Sequence, residues 1–205
     1  EGMASFHDLA ACTAPLPESP LQSTDLLQIV YTSGTESSPK GAMLTHDAVL
    51  WQYVSCCINA EVAEKDVALH ALPLYHSAQM HVFMMTSLML GCTSWLLDVP
   101  APTRVLKAIG AHDINAFFAA PTVWIALLAL LDKQPELGSN LRKAFYGASI
   151  MPTPVLQRLR ALLPGLGFYN CFGQSEMGPL ATVLRPEEHD ERPASAGRAI
   201  PFVDM

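Results

Sequence analysis

The sequence predicts an α/β fold, a largely parallel sheet with flanking helices, on three observations. Half of the 205 residues are hydrophobic, enough to bury a real core. Six short apolar runs rich in β-branched or aromatic residues read as strands: Leu27–Thr32, Val67–Leu72, Cys92–Leu97, Ile114–Phe118, Lys143–Tyr146 and Leu166–Cys171. Helical patterns alternate with them at spacings of about 20 to 40 residues, the rhythm of strand–crossover–strand units.

Taken in order, residues 1–24 are rich in Ala, Pro and Ser and read as a peripheral or mobile lead-in. The first strand then runs into a hydroxyl-rich loop and on to a helix, His46–Asn59, behind a Thr45 cap. Further helices are expected at Ala78–Leu90, at Arg104–Ala111 behind Thr103, at Thr122–Leu131 after Pro121, and at Pro154–Leu163 behind Thr153. After Glu176 the periodicity decays, so irregular structure or strands of another sheet are expected there.

Twelve Lys and Arg stand against nineteen Asp and Glu, a formal charge of −7, and no basic run could follow a phosphodiester backbone. Nucleic acid is not an expected partner. The odd set Cys12, Cys56, Cys57, Cys92 and Cys171 contains no Cys-x-x-Cys pair, which favours free thiols and a cytoplasmic protein. The most apolar run, Val82–Leu97, is interrupted by Thr86, Ser87, Gly91, Thr93 and Ser94 and is shorter than the roughly 20 residues of a spanning helix. Nothing at the start reads as a secretory signal.

The loop in "IVYTSGTESSPKGAMLTH", residues 29–46, carries the first chemistry. Backbone N–H groups in a loop leaving a strand can converge on an anion, and Gly34 and Gly41 permit the positive φ that such a concavity needs. Hydroxyls of Thr32, Ser33 and Thr35 add donors, and Lys40 adds a mobile charge. Together they suit polyphosphate, although an ordinary surface turn would use the same residue types. It is not a Walker loop, because Gly41 follows Lys40 where a magnesium-holding Ser or Thr would be required.

"YTSGTESSPKG" resembles the phosphate-binding signature YTSGTTGxPKG of the adenylate-forming enzymes, the acyl-CoA synthetases and their relatives. Glu36 and Ser37 depart from it. A carboxylate beside a triphosphate is repelled, so Glu36 is expected to face solvent, a metal or a basic group. "YNCFGQSEMGP", Tyr169–Pro179, resembles the Y-G-x-T-E motif of the same family, with Phe172 for Tyr and Ser175 for Thr. Its residue types suit the roles the resemblance implies: Phe172 as an aromatic face for adenine, Gly173 for close backbone approach, Ser175 for phosphate and Glu176 for Mg²⁺. "YGASIMP", Tyr146–Pro152, is similar to the stretch lining the family's adenine pocket, which nominates Gly147, Ala148 and Ser149; a plain strand-to-helix turn is the alternative. "SAGRAIPFVD" resembles the family's G-S-x-G-R-x-x-P segment, so the likeness spans Asp25–Asp204.

On the acid side, "LPLYHSAQMH" resembles the P-L-x-H segment and places His76 at the carboxyl end of an acyl pocket, where a structural histidine is the alternative. "FFAAPTVWIALL" resembles the turn bordering the acyl channel and nominates Pro121, Thr122 and Val123, with Trp124 in the core. His70, His76 and His81 do not share a helix face and make no metal site. Met80, Met84, Met85 and Met89, with Phe83 and Leu88, form a soft helical surface for which core packing is the default over an alkyl channel.

The resemblance implies that a carboxylate attacks the α-phosphate of ATP, pyrophosphate leaves, and coenzyme A captures the acyl adenylate. Thr32, Ser33, Gly34, Thr35, Lys40 and Gly41 would hold the phosphates, with Lys40, Thr35 and Glu176 acting in the reaction. The closest flavour is that of fatty acyl-CoA synthetases; an amino-acid or aryl-acid domain serving a carrier protein, or a non-catalytic nucleotide-binding module, are the alternatives. No G-x-S-x-G elbow points to a hydrolase. Residues 25–205 read as a partial adenylation domain, without the family's N-terminal portion, ribose-binding aspartate, hinge and small C-terminal domain. Such a piece is expected to lack full synthetase activity alone and to self-associate through its unpaired edges.

Overall fold

The structure is a computed structural model that describes residues 7, 11–15, 18–32 and 38–204. The first two strands, β1 (Leu26–Thr32) and β2 (Lys40–Thr45), form an antiparallel hairpin of their own. The loop therefore enters a second strand before any helix. The signal for β2 was alternation, with Ala42 and Leu44 buried and Met43 exposed. Helix α1 (His46–Asn59) follows, and the Thr45 hydroxyl accepts from the Ala48 N–H at 3.3 Å, the expected cap.

Among the described residues, β3 (Val67–His70), β4 (Thr93–Leu96), β5 (Ala116–Phe118), β6 (Lys143–Gly147), β7 (Gly167–Gly173), β8 (Leu180–Leu184) and β9 (Arg198–Ala199) form one sheet in the order β4-β3-β5-β6-β7-β8-β9. The pairs from β4 to β7 are parallel; β8 and β9 join antiparallel. The segment after Glu176 thus extends the same sheet rather than another, because "LATVL" is a continuous apolar run that is buried throughout.

Both faces of the sheet are covered, as the alternation within each strand requires. Leu69, Phe117, Ala144, Tyr146 and Phe168 face one core with α3 (Pro102–Ala111), α4 (Pro121–Leu131) and α5 (Thr153–Leu162). Ala68, Ala116, Phe118, Phe145, Tyr169 and Cys171 face the other, closed by α1 and by a π-helical stretch, Ala78–Met84, that continues as α2 (Met85–Leu90). The expected caps at Thr103 and Thr153 do not form: α3 begins at Pro102, α5 begins at Thr153 behind Pro152, and neither has a side-chain cap. Proline, with its fixed φ and no N–H, sets these starts instead.

Three buried histidines make the fold acid-sensitive. His70 Nδ1 pairs with Gln79 Nε2 at 2.9 Å and its Nε2 with Ser94 Oγ at 3.2 Å. Burial pushes His70 down from 6.5 to about 4 and lowers His81 and His189 as well. As pH falls below about 6.5 the unfolded chain binds protons that the folded chain refuses, so stability is lost between there and about 4. For His70 alone the loss is on the order of 3 kcal/mol. Urea unfolding should show this decline, and His70→Gln should flatten it; parallel pH curves for the two proteins would contradict the assignment. Among the described residues no helix is long and apolar enough to cross a membrane.

Candidate active site

The carboxyl ends of β5, β6 and β7 open onto two adjoining cavities. The first, of about 270 Å³, is lined by Tyr146, Ala148, Ser149, Met151, Phe172 and Gly173, among others. Gly147 lies opposite Cys171 across β6 and β7, and a Cβ on it would come 2.1 Å from the Cys171 carbonyl oxygen. Ala148 follows at φ 63°, a left-handed conformation that turns the chain out over the strand ends. Phe172 is 49% exposed and presents its ring to this space. Tyr146, behind it, donates to His189 Nε2 at 3.0 Å, while His189 Nδ1 donates to the Arg185 carbonyl at 2.7 Å. A flat heterocycle with hydrogen-bonding edges suits this slot.

The two motif segments meet beside it. The Thr32 hydroxyl donates to Glu176 Oε1 at 3.1 Å across 144 residues of sequence, and Thr32 faces Lys40 in the hairpin register. Lys40 and Gly41 at the base of the loop and Glu176 on a short 3-10 turn, Ser175–Met177, are all exposed there. Ser33, Gly34 and Thr35, with Glu36 and Ser37, lie outside the described residues. Ser175 Oγ is 2.7 Å from Ser77 Oγ, which locks the turn against the start of the π-helical stretch. The hairpin is held by His81, whose Nε2 donates to Gln28 Oε1 at 2.6 Å and whose Nδ1 accepts from the Tyr53 hydroxyl at 2.9 Å. This arrangement keeps the loop's base fixed over Glu176.

Among the described residues no group of three or more His, Cys, Asp or Glu forms a metal cage. One exposed carboxylate beside a hydroxyl nonetheless fits Mg²⁺, a hard cation that is commonly held by one or two carboxylates plus substrate phosphates. His70 and His81 are engaged in the internal pairs above and do not converge with His76.

The second cavity, of about 220 Å³, shares the wall Ala148–Cys171–Phe172–Gly173 with the first. Its rim is polar, with His76, Ser77, Gln174 and Ser175; its floor is apolar, with Val82, Phe83, Phe118 and Leu180. His76 is exposed, and its Nδ1 accepts from the Ala78 N–H at 3.2 Å, which orients the ring at the rim. Pro121, Thr122 and Val123 do not line it: Pro121 is buried at the start of α4, Thr122 is exposed, and Val123 packs on the opposite core. Trp124 is buried in that core and donates to the Phe145 carbonyl at 3.1 Å. Of the methionine-rich face only Phe83 and its neighbour Val82 reach the cavity; Met85 packs against the hairpin cluster, and Leu88 and Met89 are exposed. Ser77, Val82, Phe118 and Leu180 also line this cavity and were not nominated from the sequence. Phe118 was legible as the last residue of a strand, where open α/β sheets place their ligands.

The sequence matches the family described as AMP-binding enzyme over residues 3–205. It is 31% identical to a feruloyl-CoA synthase of Amycolatopsis over 97% of this chain and 40% of that protein. It is 29% identical to the medium-chain fatty-acid–CoA ligase of Escherichia coli K12 over 88% of this chain and 32% of that one. The fold superposes with a TM-score of 0.81 on a Bacillus subtilis o-succinylbenzoate CoA synthetase bound to a product analogue, at 27% identity over 97% of this chain and 40% of the other. The chain thus spans well under half the length of these relatives.

Proposed function

This chain belongs to the AMP-binding enzyme family, and from that premise we propose that it carries the site at which ATP activates a carboxylic acid as an acyl adenylate, with coenzyme A as the final acyl acceptor. The observation that carries the reading is the Thr32–Glu176 hydrogen bond, which brings the base of the hydroxyl-rich loop and the second motif to one rim.

In this reading adenine lies against Phe172 in the first cavity and the acid enters the second past His76. The α-phosphate then sits where the cavities adjoin, beside Gly173 and Ser175. An acid oxygen forms a bond to the α-phosphorus as the bond to pyrophosphate breaks. Lys40 and the hydroxyl of Thr32 would hold the departing phosphates in line and offset their charge, a role that the family resemblance extends to Ser33, Gly34, Thr35 and Gly41. Glu176, with Thr32, would hold Mg²⁺, which when bound neutralises charge on the phosphates. In the second half-reaction the coenzyme A thiolate attacks the acyl carbonyl and AMP leaves.

No protein nucleophile is needed. Cys171 lines both cavities, but burial pushes its thiol far up and keeps it protonated. Residues 25–205 act here as part of an adenylation domain, and the 205-residue chain is expected to bind ATP without appreciable acyl-CoA formation. Calorimetry with ATP and Mg²⁺ on this chain, and pyrophosphate exchange over a carboxylic-acid panel with the complete protein, test it. Saturable ATP binding and acid-dependent exchange are expected; their absence would overturn the reading.

A further inference from the structure

We infer that the stacked pair Phe83–Phe118 is a fixed floor that limits the acid to an aromatic ring or a short alkyl chain. This rests on the proposed function and narrows its substrate class. The two rings lie 4.3 Å apart at 17°, and Phe83 also packs on Phe145 at 5.0 Å and 51°. Phe118 and Phe83 are 5% and 6% exposed, buried by their packing on each other and on Phe145. Phe118 ends β5 opposite Phe145 of β6, and Phe83 is held by the π-helical stretch, so the floor hangs on sheet and helix rather than on a loop.

Both rings also wall a second, small void of about 10 Å³, lined by the small side chains Ala68, Ala116 and Ser87 and by His70. The rings therefore close the open cavity, and the space behind them has room for about one water molecule, too little for an alkyl chain. At about 220 Å³ the open cavity falls below the roughly 300–1,000 Å³ of pockets that enclose drug-sized ligands. A planar acyl group can lie against the apolar floor with its carboxylate at the polar rim of His76, Ser77 and Ser175.

The test uses N-acylsulfamoyl adenosines, stable mimics of an acyl adenylate, with benzoyl, butanoyl, octanoyl and dodecanoyl groups, titrated calorimetrically into the chain. The unmodified protein should bind the benzoyl and butanoyl compounds at least about tenfold more tightly than the octanoyl one, whose distal methylenes fit only by displacing the packed rings. In Phe118→Ala the preference should move to octanoyl, each methylene admitted to the opened space tightening binding about fourfold. Phe118→Leu, closer in volume, should shift the profile the same way to a lesser extent and serves if the alanine variant fails to fold. Equal affinity for benzoyl and dodecanoyl compounds in the unmodified protein, or an unchanged length profile in a folded Phe118 variant, would overturn the inference. Sulfamoyl adenosine without an acyl group separates the two levels. If it does not bind, the nucleotide site is wrong and the inference falls with it; if it binds while chain length makes no difference, only the floor is wrong.

Discussion

Replacing Glu176 with glutamine is expected to lower ATP–pyrophosphate exchange by the complete protein about a hundredfold or more while leaving the fold intact. Glu176 is exposed on a short turn and accepts one hydrogen bond, from Thr32, which a glutamine carbonyl can also accept. The substitution therefore removes charge and little else. Without the carboxylate, phosphates and any divalent cation arriving with them would lose an acidic partner that the hairpin holds in place. The loss should appear mainly in turnover and in the magnesium concentration needed for half-maximal exchange. Urea unfolding of the variant should match that of the parent. A loss of less than about threefold with unchanged magnesium dependence would remove Glu176 from the reaction, since a preorganised charge in such a site is ordinarily worth far more.

Gly173→Ala should be the most damaging single methyl in the site. A Cβ there would lie 1.8 Å from the Pro179 carbonyl oxygen and 2.9 Å from the Ala181 N, both backbone atoms that no rotamer change can move. Either β7 and β8 separate where Gly173 pairs with Leu180, or the turn carrying Ser175 and Glu176 shifts. Destabilisation of about 3 kcal/mol is expected, at the upper end for overpacking. The folded fraction should bind ATP far more weakly, because the same backbone forms the wall common to both cavities. Urea midpoints and calorimetry on one preparation check both effects. An alanine variant with the parent's midpoint and affinity would show that close approach at Gly173 does not shape the site.

How far the sequence reveals these features depends on whether the signal is local. The strand ranges were legible because period-two burial is written residue by residue, and the structure buries Leu69 and Phe117 on one face and Ala68, Ala116 and Phe118 on the other. The Thr45 cap was legible for the same reason. Strand β2 was not, because Lys40 and Gly41 read as loop chemistry and the alternation of Ala42, Met43 and Leu44 is short. Strand β8 was hidden by the charge and proline that follow it, and its pairing with β7 and β9 defines it. In the proposed site, the motifs nominate Lys40, Gly147, Phe172 and Glu176 but carry no sign of what lies opposite them. Ser77 against Ser175, and the relay from Gln28 through His81 to Tyr53, are long-range contacts without periodicity or spacing. Pro121, Thr122 and Val123 do not line the second cavity, because the first turn of α4 buries Pro121 and leans Val123 toward the other core.

Photolabelling with 2-azidoadenosine triphosphate and Mg²⁺, followed by peptide mapping, tests most directly whether a nucleotide binds over the carboxyl ends of β6 and β7. Label should be suppressed by excess ATP and should fall in Tyr146–Pro152 and Tyr169–Pro179, the segments bearing Ala148 and Phe172 that line the first cavity. Label that excess ATP does not suppress, or that concentrates at the distant surface cavity lined by Arg160, Pro186 and Asp190, would contradict it.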